Sequence, residues 1–387
     1  MTKNPLLIIS LAACLLISGC SKDVPQRKIT YADEVLPGDT LVKGKSNAYM
    51  KLFVLNEGQM GQENATLDFF KFSSGSYVRN AYSAMNPYSD GLGDVANNIR
   101  FYYDYAFIPV TNSNLVEVIS CYDETHLKKY EIPGPRDVAF DETRAYVTSY
   151  DGARYGDDKL GAVYRINLSS NPVKIDTVHV GFQPEGISIN GQELYVANSG
   201  GYHTGYDDRL DIINTYYFKK KTSIKIAPNL KDVYANDENV WVTSFGDYSK
   251  VHSGIYCYSL VYGHVLDRTD ELAQVRFLCS CADDANIYVL GTEQEWEYDP
   301  SVKKTYKLYS IGRREGDVRD YDLDLSGLTA PYAICFNPSN GDFYVSDAGD
   351  YYTEGMIYCY DLDSGKLQWK TFTGVCPGSL ALFGAIY

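Results

Sequence analysis

Apolar and polar positions along the chain fall into a pattern that returns seven times: an apolar residue, an aromatic or bulky apolar one, then a Val or Ile. The runs are Leu52-Phe53-Val54, Ala106-Phe107-Ile108, Ala145-Tyr146-Val147, Leu194-Tyr195-Val196, Val240-Trp241-Val242, Ile287-Tyr288-Val289 and Phe343-Tyr344-Val345. Their central residues stand 54, 39, 49, 46, 47 and 56 positions apart, close to the roughly 40–50 residues that one four-stranded propeller blade consumes. A second set precedes the first, each a turn followed by a short apolar strand: Gly93-Asp94-Val95, Pro135–Val138, Pro184–Ile187, Leu230–Val233, Val275-Arg276-Phe277, Pro331–Ile334 and Pro377–Leu380. A third follows the aromatic strands, as in Gly161–Ile166, Arg209–Ile213, Gly254–Tyr258 and Gly355–Tyr360. More polar stretches such as Val173–Val180 and Lys366–Phe372 suit outer edge strands. With the strands named A to D from the centre outward, the chain begins at a B strand, Lys51–Asn56, and ends on an A strand, Pro377–Phe383. Each needs the other, so the pattern predicts an all-β, seven-bladed β-propeller closed by the C-terminal strand pairing with the N-terminal blade.

The N-terminus stands outside this repeat. Lys3, the apolar stretch Leu6–Ile17 and Ile17-Ser18-Gly19-Cys20 read as an export signal too short to anchor in a bilayer. The final four residues resemble a bacterial lipobox, which makes Cys20 the expected lipidation site. Ser21-Lys22-Asp23 partly resembles a surface-export tag, and residues 21–47 carry Pro, Gly and charge without an apolar period, as a tether does. The expected division is therefore a signal peptide over 1–19, a lipidated tether over 20–47 and one propeller domain over 48–387. The expected location is the outer membrane, lipid-anchored and facing the cell exterior.

A formal net charge of -15 argues against nucleic acid and anionic membrane surfaces as partners, leaving the lipid as the membrane contact. Nine Cys look like a disulfide framework, but seven remain after Cys14 and Cys20, an odd number, and they sit in apolar strands where small buried residues suffice. Cys279-Ser280-Cys281 lacks the second pair a zinc site needs.

In a propeller the loop entering strand A and the loop leaving strand B open on one face, around the central channel. The entering loops carry Arg136, Glu185, Lys231, Arg276 and Tyr332, together with Asp94, Asp137 and Asp232, which read as turn formers at matching positions. The leaving loops carry Glu57, Tyr150, Tyr155, Tyr202, Tyr206, Tyr248, Trp296, Tyr351 and Tyr352. Tyr146, Tyr195, Tyr288 and Tyr344 are expected to pack between blades, whereas loop tyrosines around a concave mouth suit a large, flat ligand with polar edges. Tyr77 is expected on an outer strand. No nucleophile elbow, His-Glu-x-x-His or phosphate-cradling Gly loop occurs, so no catalytic residue and no cofactor is assigned. Two rival readings remain: a divalent-metal lactonase-like hydrolase on Glu57, Glu185 and Asn198, and a glycan-binding or structural surface protein. His203 and His252 are the histidines placed in leaving loops.

Tyr146-Val147-Thr148-Ser149, Tyr195-Val196-Ala197-Asn198, Tyr344-Val345-Ser346-Asp347 and Gly181–Ile187 resemble the Tyr-Val-Thr-Asn propeller repeats. Phe53–Gly58, Gly93–Asn97 and Pro135–Phe140 are similar to a family of seven-bladed propeller lipoproteins of the Bacteroidetes surface, and the likeness covers about residues 48–387. Some of that family capture cobalamin and pass it to a TonB-dependent outer-membrane transporter of the BtuB type. The resemblance therefore implies non-covalent corrinoid capture (cobalamin or cobinamide), with no enzymatic step.

Overall fold

A computed structural model describes residues 34–35, 48–272, 276–292 and 304–384. They form seven antiparallel sheets, six of four strands and one of five. Blade 3 shows the plan, with strands A to D at Pro135–Phe140, Arg144–Ser149, Ala162–Asn167 and Lys174–His179. The A strands of blades 4 to 7 are Pro184–Asn190, Leu230–Ala235, Arg276–Ala282 and Pro331–Asn337. Blade 1 takes its A strand, Pro377–Gly384, from the far end of the chain, paired antiparallel with its B strand Tyr49–Asn56. The predicted closure is observed, with Leu52 opposite Leu382, Phe53 opposite Ala381 and Val54 opposite Leu380.

The repeated aromatic-Val step exists because a B strand is covered on both faces, so successive side chains enter different cores. Tyr146 packs with Ile187, Leu194, Val196 and Ile213 between blades 3 and 4. Its neighbour Val147 packs with Phe107, Val116 and Val138 between blades 2 and 3. The hydroxyl residue that follows ties the inner strands together. Thr148 Oγ1 accepts from the Asp137 amide at 3.0 Å and donates to the Glu185 carbonyl of the next blade at 2.6 Å. Ser346 repeats this between the Ala333 amide (2.9 Å) and the Pro377 carbonyl (2.6 Å), and so bonds across the closure.

Four features depart from the sequence expectation. In blade 2 the inner strand is not Gly93-Asp94-Val95 but Arg100–Tyr102, with one isolated bridge from Ala96 to Val110; Val95 turns through φ 59, which breaks the ladder. Glu34–Val35, placed in the tether, pairs with Ser76–Val78 as a fifth strand on blade 1, covering an otherwise unpaired edge. Tyr77 lies on the outer strand as expected, but is fully buried there in the core with Leu52, Phe70 and Tyr344, and donates to Asp68 at 3.0 Å. Asp137 and Asp232 do match, each amide donating to a B-strand threonine (Thr148, Thr243) at 3.0 Å, but Asp94 precedes its inner strand and does not share their position. Asp94 accepts from the Gly61 amide, Asp137 from Val138 and Arg100, and Asp232 from the Ser280 and Thr243 hydroxyls.

Candidate functional site: the channel mouth

The register of the inner strands builds a ring. Pro135, Pro184, Leu230, Pro331 and Pro377 stand at matching positions, opposite Ser149, Asn198, Ser244, Asp347 and Asn56 of their B strands. The residue after each is Arg136, Glu185, Lys231, Tyr332 and Gly378, and all five line one central cavity of about 920 Å³. Gly378 is required there: a Cβ would lie 2.5 Å from Glu57 Oε1, so its absence admits the Glu57 side chain to the ring. In blade 6 Phe277, opposite Gly291, holds the place of those prolines, so Arg276, opposite Thr292, stands one position before it and is not the ring residue the sequence predicted; the side chains of residues 276–278 lie outside the described residues.

Glu185 is the centre of the polar set. Arg136 donates to Oε2 through Nε (3.1 Å) and Nη2 (2.9 Å), Lys231 Nζ donates to Oε2 at 3.0 Å, and the Tyr150 hydroxyl donates to Oε1. Burial by itself would raise this carboxyl, but the charges of Arg136 and Lys231 and the bonds from Tyr150 and Lys231 hold it down at about 2. It is an anion at any physiological pH. Arg136 also donates to Thr111 at 3.2 Å and lies 4.8 Å over the Tyr150 ring, so its guanidinium is fixed on three sides. Glu57 differs: burial pushes it up, although the Tyr332 hydroxyl donates to its Oε2 at 2.8 Å and Arg136 and Lys231 pull the other way. The two carboxyls of one ring are thus driven apart by their surroundings.

Below this ring the broken inner strand of blade 2 aims polar side chains inward, which the sequence reading missed. Arg100 donates to both oxygens of Asp137 (2.8 and 3.0 Å), and Asn98 bridges Asp137 (2.9 Å) to Ser379 (2.8 Å). On the far wall the Ser280 hydroxyl donates to Asp232 at 2.7 Å and lies 2.8 Å from the Tyr234 hydroxyl. Ala96 opposite Val110 and Arg100 opposite Phe107 hold the register of Pro135 and Ala139 in blade 3, so Asn97–Arg100 is the inner strand of this blade, and its polar residues lack the apolar pattern by which the other inner strands are read.

Above the ring the leaving loops form an aromatic rim. Tyr150 meets Tyr202 edge-on at 5.2 Å, Tyr206 meets Tyr248 at 6.2 Å, and Tyr332 meets Tyr351 edge-on at 5.7 Å. The sequence placed all of these at the mouth, but they divide by burial. Tyr150 is buried as a support for Glu185, Tyr202 and Tyr206 are half-buried, and Tyr248 and Tyr351 are 63% and 43% exposed. Tyr155 and Tyr352 project furthest, at 86% and 75%. Tyr206, Tyr248 and Tyr351 all have left-handed backbone (φ 61, 54 and 64), uncommon for an aromatic residue and costing of order 1–3 kcal/mol each.

The other candidates separate from this cavity. Asn198 is buried behind the inner strand, donating to the Arg209 carbonyl at 2.8 Å, and so does not join Glu57 and Glu185 in a ligand set. His203 stacks on Phe182 at 4.1 Å and faces Asp158 at 3.2 Å. Among the described residues no group of three or more His, Cys, Asp or Glu is placed to hold a metal ion. Cys279, Cys281 and Cys335 line the cavity as free thiols, and burial pushes each of them up. Cys20 and Trp296 lie outside the described residues.

No family profile matches the chain, and no curated protein does. Solved structures of similar fold are found. The chain is similar to Kuenenia stuttgartiensis hydrazine synthase, at 17% identity and a TM-score of 0.58 over 73% of this chain and 88% of that one. It is also similar to the WD40 domain of Neurospora crassa Pan2, at 10% identity and a TM-score of 0.50 over 74% and 81%. Apo AztD from Citrobacter koseri aligns at 12% identity and a TM-score of 0.48 over 86% and 98%. At these identities the likeness to the first two shows the β-propeller fold alone.

Proposed function

We propose that this protein is a lipid-anchored lipoprotein of the outer-membrane surface that captures corrinoids over its channel mouth and passes them to a TonB-dependent transporter of the BtuB type, the role of BtuG in the family that the sequence resembles. The observation that carries the reading is the tyrosine rim, in three ring pairs, around a cavity of about 920 Å³ whose upper ring holds a fixed Arg136–Glu185–Lys231 cluster. A corrin is a broad, rigid macrocycle with an apolar body and amide side chains. Tyrosine faces bury such a body, and its amides find donors in Arg136 and Lys231 and acceptors in Glu57 and Glu185. Capture of this kind needs no cofactor and no bond to cobalt.

Titration of the purified protein with cyanocobalamin tests the reading. Binding is expected at micromolar concentration or below, with a cobalamin spectrum close to that of the free ligand. Tyr202→Ala, Tyr248→Ala, Tyr351→Ala and Arg136→Ala should each weaken it roughly tenfold or more. Tyr262→Ala, 78% exposed on a turn between strands C and D on the opposite face, should not. No heat and no spectral change with cobalamin or cobinamide would sink capture. The anchor is tested separately: Cys20→Ala should release the protein from the membrane fraction, and unchanged retention would remove the lipoprotein reading.

A further inference from the structure

Two loops at the mouth share a sequence and a backbone. Gly246-Asp247-Tyr248 leaves the B strand of blade 5 (Asn239–Ser244), and Gly349-Asp350-Tyr351 leaves that of blade 7 (Asp342–Asp347). In both, the glycine and the tyrosine take left-handed φ: 70 and 54 in the first, 58 and 64 in the second. The aspartate between them gathers the amides that follow. Asp247 Oδ1 accepts from Ser249 (2.9 Å), Lys250 (2.7 Å) and Val251 (2.8 Å). Asp350 Oδ1 accepts from the amides of Tyr352 and Thr353, both at 2.8 Å, and from the Thr353 hydroxyl at 3.0 Å. These bonds favour the ionised form and hold both carboxyls below the usual range.

Core packing does not explain the tyrosine conformations, since both rings are more than two-fifths exposed. Both loops nevertheless lead to the cavity. Tyr351 packs edge-on against Tyr332, a ring member bonded to Glu57, and Phe245, which begins the other loop, lines the cavity wall. Backbone outliers held by local hydrogen bonds beside a cavity are a known way of presetting a ligand clamp.

We propose that Asp247 and Asp350 are positioning residues for ligand capture, each fixing one exposed tyrosine as a preset jaw on the cavity rim. The inference rests on the reading that this rim takes the corrinoid. An aspartate-to-alanine change leaves the ring in place but frees its loop, so the loop must be ordered at binding, and that ordering opposes affinity.

The test is calorimetric titration of the full-length protein with cyanocobalamin, using wild type, Asp247→Ala, Asp350→Ala and the two Asn variants, with melting temperatures recorded for all five. The Ala variants should bind about tenfold more weakly, equal to 1.4 kcal/mol, with a less favourable binding entropy and unchanged melting temperature. Asn keeps the Oδ1 acceptor and should restore affinity to within about threefold. Ala variants that bind like wild type overturn the proposal, as do Asn variants as weak as Ala, or affinity lost only in step with melting temperature. If wild type itself does not bind, the corrinoid reading falls and this inference falls with it. If wild type binds and only the Asp variants are neutral, this inference alone fails.

Discussion

A chain lacking residues 376–387 is expected to be insoluble, or to melt far below the intact protein. The deletion removes the whole A strand of blade 1. Along that strand Leu380 and Leu382 pack into the core shared with blade 7, while Ala381 and Phe383 pack into the core shared with blade 2. Phe383 alone meets the rings of Phe53, Phe101 and Tyr122 at 6.4, 5.6 and 5.5 Å. Fully burying a large apolar side chain stabilises by about 1.5–3 kcal/mol; Phe383 is buried and Leu380 and Leu382 are partly so, and their loss withdraws roughly 3–6 kcal/mol before any hydrogen bond is counted. That is a substantial share of the whole stability of a domain, about 5–15 kcal/mol. The Ser346 tie to the Pro377 carbonyl goes as well. Expression, solubility and thermal melting of the truncated chain check this, and an unchanged melting temperature would mean that the ring does not close through this strand.

Lys51→Met is expected to destabilise the protein by about 3–5 kcal/mol at neutral pH, because it leaves a buried carboxylate without its cation. Lys51 Nζ donates to the carbonyls of Cys121 (3.1 Å) and Tyr122 (2.6 Å) and to Glu124 Oε1 (2.5 Å), joining the stitched blade 1 to blade 2. Both side chains are under 10% exposed. Burial pushes the Glu124 carboxyl up even with Lys51 present, and without it the charged form is disfavoured further. A carboxyl raised in the folded state favours folding below its unfolded value, near 4.3, and that contribution is lost as pH rises through the folded value. The deficit of Lys51→Met should therefore be largest at neutral pH and narrow toward about pH 4. Denaturant midpoints at the two pH values check the sign. The double variant Lys51→Met with Glu124→Leu, which leaves no buried charge, should recover at least half of the loss at neutral pH. A deficit that is constant with pH and survives in the double variant would show that packing, not the charge, is responsible.

Seven blades, their strand order and the terminal closure were legible in the chain because a propeller repeats one local solution. Each B strand is covered on both sides, so each needs the same aromatic-Val step, as Tyr146-Val147 and Tyr344-Val345 show. The ring positions of Arg136, Glu185, Lys231 and Tyr332 followed from the same register, as did the placing of the tyrosine loops on the mouth face. What the sequence left open was everything set by contact between blades. Which tyrosines are supports and which are surfaces depends on neighbours in other blades: Tyr150 is buried because Glu185 of the next blade meets Arg136 of its own blade beside it. That Glu57 is held up and Glu185 down is likewise a matter of which carboxyl receives the two cations. Asn98 and Arg100 face the channel from an inner strand without the apolar pattern of the others, and Gly378 owes its place to a Glu57 side chain more than 300 residues earlier. Strand pattern is a local property with a period, so the sequence alone determined it. Charge pairing and side-chain burial across the channel are not local, and only the closed ring decided them.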